Sequence, residues 1–123
     1  MQIVRATEAP TFELPGIRFT SLASPALGSA ETCVWQVTVE ADVAGDPHTV
    51  DRDEIFVVLD GSIRLSAEGP DLTAGDAAVV RAGESIRLAN TGGRPALVQV
   101  AIRAGFTATM ADGTPVGTPP WAA

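Results

Sequence analysis

The chain of 123 residues holds one histidine, His48, and one cysteine, Cys33, and this scarcity bounds the chemistry open to it. A thiolate zinc site needs several cysteines, and a lone cysteine closes no internal disulfide. Cys33 has nothing cationic beside it in sequence to activate the thiol, so it is expected to act as a small apolar group. Three carboxylates, Asp51, Asp53 and Glu54, follow His48 within a few residues. An imidazole and a carboxylate that meet can move protons. The same residues also read as a structural histidine at a strand start and a solvated acidic turn. Arg64 and Arg81 could offer paired donors to an anionic ligand, but on an acidic chain arginines are expected to face water.

Short strands must position these groups. Twelve glycines and nine prolines divide the chain into brief apolar segments, none with a 3.6-residue period over three turns. From Thr32 to Glu40 the apolar residues Cys33, Trp35, Val37 and Val39 alternate with mainly polar ones, giving one buried and one wetter face. Ile55 to Leu59 is apolar without alternation, which predicts cover on both faces, the outer one by a second subunit. Further strands are predicted at Ile17–Leu22, Ser62–Ser66, Ala77–Arg81, Ser85–Ala89 and Ala96–Arg103, between turns such as Asp60-Gly61 and Gly75-Asp76. That spacing predicts an all-β sandwich or barrel in one domain over residues 1–123. Its Pro/Gly-rich tail, from about residue 112 to 123, is expected to be extended and to dock through Trp121.

Composition narrows the partners. A net charge of −7, with eight arginines and no lysine, argues against nucleic acid and against an anionic membrane surface. No apolar run approaches the roughly 18 residues of a membrane span. The opening MQIVRATEAP lacks the basic and apolar segments of a secretory signal, so a cytoplasmic protein is expected.

Two stretches, Asp42–Gly61 and Gly75–Asn90, resemble the paired motifs of the cupin family. The family's first motif runs Gly, five residues, His-x-His, three or four residues, Glu, six residues, Gly. His48, Glu54 and Gly61 fall in register with it, while Asp42 stands at the opening Gly and Val50 at the second His. The second motif runs Gly, five residues, Pro-x-Gly, two residues, His, three residues, Asn. Gly75, Gly83 and Asn90 match, with Arg81 at the Pro and Ile86 at the His. The ending Pro119-Pro120-Trp121-Ala122 is also similar to that of short bacterial single-domain members.

The resemblance implies an antiparallel jelly-roll β-barrel around a small-molecule pocket. Family members commonly bind iron, manganese, nickel or zinc through the histidines and glutamate of these motifs. Here only His48 and Glu54 remain, with hydrocarbon at Val50 and Ile86, and catalytic sites need three or more protein ligands. No cofactor is therefore expected; a divalent metal, if bound, would sit on His48 and Glu54, with Asp51 as a conceivable addition. The expected pocket is lined by Trp35, Val50, Phe56, Val58 and Ile86, with His48 and Glu54 as its polar fixtures and candidate acid/base pair. The function this implies is metal-independent binding of a small organic molecule, with isomerase, cyclase or lyase chemistry. A metal-dependent oxygenase or isomerase with an atypical site, and a non-catalytic sensing or assembly module, are the alternatives. A homodimer is expected through the outward side of Ile55, Val57 and Leu59, which would otherwise expose an apolar strip.

Overall fold

The structure is a computed structural model that describes residues 1–123. Its strands are β1 (Thr11–Leu14), β2 (Ile17–Ala23), β3 (Thr32–Val39), β4 (His48–Val50), β5 (Glu54–Asp60), β6 (Ser62–Arg64), β7 (Leu72–Thr73), β8 (Ala77–Val80), β9 (Ala89–Asn90), β10 (Ala96–Arg103), β11 (Ala108–Met110) and β12 (Pro115–Gly117). A six-stranded sheet runs β1-β2-β3-β10-β5-β8, and two three-stranded sheets run β12-β11-β4 and β7-β6-β9. Every pairing is antiparallel. The result is the jelly-roll arrangement of a cupin fold. No helix is long and apolar enough to cross a membrane.

Alternation along the long strands builds the interior. Cys33, Trp35, Val37 and Val39 on β3 are buried, as are Ala96, Val98, Val100 and Ile102 on β10. The registers Val37–Val98 and Trp35–Val100 put these rows side by side on one sheet face. On β5 the inward positions are Glu54, Phe56 and Val58; Ile55 and Leu59 on its other face are exposed.

The motif glycines and asparagine serve the backbone. Gly61 turns β5 into β6 at φ 83°, and a Cβ there would lie 2.8 Å from the Ala96 Cα, so no other residue fits without moving β10. Asp42 adopts φ 62°, a left-handed conformation that explains why a glycine suits this position and why aspartate can replace it. Asn90 is buried: its Nδ2 donates to the Val39 and Arg94 carbonyls at 2.9 and 2.8 Å, and its Oδ1 accepts from Gly92 N–H at 2.8 Å.

Two segments depart from expectation. Ser85–Ala89 forms no continuous strand; only Ala89–Asn90 is paired as β9, with Ile86 in a single bridge to His48. The cause is its hydrogen bonding, which is split between two neighbours: Ile86 exchanges bonds with His48, whereas Arg87 N–H reaches the Leu65 carbonyl. The C-terminal segment is partly regular, with β12 and a 3-10 turn at Pro120–Ala122.

Candidate functional site

Between the large sheet and the β12-β11-β4 sheet lies a cavity of about 510 Å³. Glu54 enters it from the start of β5, His48 and Val50 from β4, and Ile86 from the segment bridged to His48. Trp35 and Phe56 line the same space. Val58 faces inward but lies outside the lining, 1% exposed in the core. The alternation that aims Glu54, Phe56 and Val58 to one side does not tell how far along β5 the cavity reaches.

Glu54 is 4% exposed, and its Oε2 is buried with no hydrogen-bond partner. Burial away from water penalises the carboxylate and pushes the Glu54 pKa up to about 7. His48 is half-buried, and its Nδ1 lies 3.0 Å from the Asp46 carbonyl oxygen. A carbonyl only accepts, so Nδ1 carries the proton and Nε2 of the neutral ring is the free base. No hydrogen bond or ion pair joins His48 to Glu54; the cavity holds them as two separate polar fixtures.

The other candidates sit elsewhere. Asp51 lies outside the lining, with Oδ1 accepting from Thr107 N–H at 2.8 Å and Oδ2 from the Thr107 hydroxyl at 3.0 Å. Those bonds lower its pKa, the backbone N–H most. Asp53 accepts from Ala82 N–H at 3.0 Å. Arg64 pairs with Asp71 at 2.7 Å on the surface, and neither Arg64 nor Arg81 lines the cavity. Cys33 is fully buried, its Sγ donating to the Ala122 carbonyl at 3.3 Å, and burial raises its pKa. A buried, protonated thiol is a poor nucleophile.

The residues at the family's metal positions do not fit a metal. Nowhere do three or more His, Cys, Asp or Glu side chains gather as a ligand set, and Val50 and Ile86 bring hydrocarbon where two imidazoles would be required. What the sequence reading missed is aromatic: Phe12, Phe19, Phe106 and Trp121 also line the cavity. Trp121 stacks on Phe19 with ring centroids 3.7 Å apart and planes 7° from parallel. The tail that carries it is anchored by the Ser21 hydroxyl, which donates to the Trp121 carbonyl at 2.7 Å. The one sequence signal for this docking was a tryptophan in an otherwise extended tail.

A model of the cupin domain matches residues 35–102. Among proteins of curated function none matches the chain by sequence. Solved structures share its fold. The polyketide cyclase RemF from Streptomyces resistomycificus superposes with a TM-score of 0.73 at 18% identity, covering 84% of this chain and 79% of RemF. KdgF from Halomonas sp. gives 0.66 at 20% identity, covering 83% and 92%. A putative acetylacetone dioxygenase from Methylibium petroleiphilum gives 0.73 at 12% identity, covering 95% and 86%. At these identities the likeness is one of fold. The domain match spans more than half of the chain, from Trp35 on β3 to Ile102 on β10, and the chain belongs to the cupin family.

Proposed function

We propose that this cupin binds a small, largely apolar organic molecule without a metal and moves protons on it, as an isomerase, cyclase or lyase does. The observation that carries this reading is the buried Glu54 carboxyl, unpartnered at Oε2 and facing a cavity otherwise lined mainly by hydrocarbon and aromatic rings. A pKa of about 7 keeps the acid form populated near neutral pH: protonated Glu54 donates to a carbonyl oxygen of the bound molecule while a base takes the proton from the adjacent carbon and returns it to another atom of the same molecule. His48 Nε2 is that base, its ring held by the Asp46 carbonyl. Such a transfer consumes no oxidant or reductant. The fold is shared by the polyketide cyclase RemF, and cyclisation is among the reactions proposed here. The protein is further proposed to work in the cytoplasm as a homodimer.

The test is hydrogen–deuterium exchange at the α-carbon of bound aryl ketones, followed by NMR in D₂O. The protein is expected to accelerate exchange, and Glu54→Gln to reduce the acceleration by about 10²-fold or more. Ketones that bind but exchange at the uncatalysed rate would leave a binding protein and remove the catalytic reading.

A further inference from the structure

The protein has four phenylalanines, two tryptophans and no tyrosine, and all six rings, Phe12, Phe19, Trp35, Phe56, Phe106 and Trp121, line the same cavity. They come from both ends of the chain as well as the central strands, so no single element accounts for the grouping. Phe19 and Trp121 form a parallel slab, and Trp35 lies over Phe106 at 6.1 Å and 22°. Flat π-faces of this kind favour offset-stacked or edge-on rings in a ligand.

The lining's charge is one-sided. Its titratable groups are Glu13, Asp46, His48 and Glu54, and no arginine joins them. Glu13 bonds Arg18 at 2.8 Å, but Arg18 stands outside the lining. The strands flanking Glu54 oppose it with Ile102 and Val80, which carry no charge. An anionic ligand would be buried opposite a carboxyl with no arginine or lysine to receive it. An ammonium would have to shed its water for Glu54, the one buried carboxylate of the lining, since Glu13 and Asp46 are exposed, and a buried ion pair seldom repays that desolvation. An uncharged ligand needs only that Glu54 keep its proton, and the protonated acid then donates a hydrogen bond.

We infer that the ligand is an uncharged, flat aromatic molecule bearing a carbonyl or hydroxyl oxygen that accepts a hydrogen bond from protonated Glu54, with Phe19 and Trp121 as the wall its ring lies against. This rests on the small-molecule reading above and narrows it to one charge class and one shape. It also links binding to protons, because a neutral ligand removes water from the cavity and holds Glu54 in its acid form.

Equilibrium dialysis with matched probes tests it: 2-acetylnaphthalene as the uncharged ketone, 2-naphthoate as the anion, 2-naphthylmethylammonium as the cation, and 2-acetyldecalin as the saturated ketone. The uncharged aryl ketone is expected to bind tightest. With the free carboxyl titrating near 7, its affinity should fall about tenfold from pH 6 to pH 8. Glu54→Gln should flatten that dependence while the fold is kept, and Trp121→Leu should weaken the aryl ketone more than the decalin ketone. Tightest binding by the ammonium, rising with pH, overturns the inference and leaves the small-molecule cavity standing. So does naphthoate bound as tightly as the ketone, or acetyldecalin bound as tightly as its aromatic counterpart. If no probe binds, the inference falls together with the reading it rests on.

Discussion

Burying Glu54 makes the stability of the fold depend on pH, with a sign opposite to that of a paired carboxylate. Its folded pKa of about 7 stands above the ordinary 4.5, so between these values the folded protein keeps a proton that the unfolded chain has released. The cost is absent below about 4.5, grows as pH rises towards 7, and is complete above it, at about 3 kcal/mol. Glu54→Gln is therefore expected to stabilise the protein at pH 8 by up to ~3 kcal/mol and to change little at pH 4, as read by urea unfolding at both values. An equal effect at both would mean that the carboxyl is solvated. Val50 and Ile86 give a second test at this scale. Both line the cavity that holds His48 and Glu54, and Ile86 exchanges backbone bonds with His48 at 2.8 and 3.0 Å. The double change Val50→His with Ile86→His should complete three imidazoles and a carboxylate, a set that suits zinc or divalent iron. Without metal the variant should melt below the parent, since two polar rings are buried, and zinc should restore it. Tight one-to-one zinc binding by the parent, measured calorimetrically, with no gain from the double change, would reverse the metal-free reading.

Among the elements, the C-terminal segment shapes the site most for its length. Ser21 is 2% exposed and lies where the β2–β3 register slips, and its hydroxyl meets the Trp121 carbonyl at 2.7 Å. Ser21→Ala should cost about 1 kcal/mol by leaving that carbonyl unpaired. In a Trp35→Phe background it should also shift Trp121 emission to the red as the ring loosens from Phe19. An unchanged spectrum would show that the stacking alone holds the tail. The longer strands were legible because alternation marks them: β2, β3, β5, β8 and β10 fall within a residue of their expected ends. Strands β1, β4, β7, β11 and β12 hold two to four residues, too few for any period to show, and the pairing of β4 with β11 joins segments as far apart as Thr49 and Thr109. The site divides along the same line. Glu54, His48, Phe56 and Ile86 lie in or beside readable motifs, whereas Phe12 reaches the cavity from β1, Phe106 from the segment between β10 and β11, and Trp121 from the 3-10 turn, none of which a motif marks.

For the molecule as a whole, the outer face of the six-stranded sheet carries the unmet demand. Its registers align Val79, Ile55, Ala101 and Val34 in one row across four strands, and Ala77, Val57, Gln99 and Gln36 in the next. Val79 is 63% exposed and Ile55 42%, with β8 at the open edge of the sheet. A stable interface buries roughly 800 Å² on each partner, more than the apolar row alone supplies, so the amide row beside it must be included as a polar rim. In a two-fold dimer each copy contributes the same patch, so one substitution acts twice. Light scattering is expected to give a dimer for the parent at micromolar concentration and a monomer for Ile55→Lys with Val79→Lys. Both side chains point away from the cavity, so the monomeric variant should keep the parent's ligand affinity. A monomeric parent would show that the strip is simply solvated, and a dimer indifferent to both lysines would move the interface to another face.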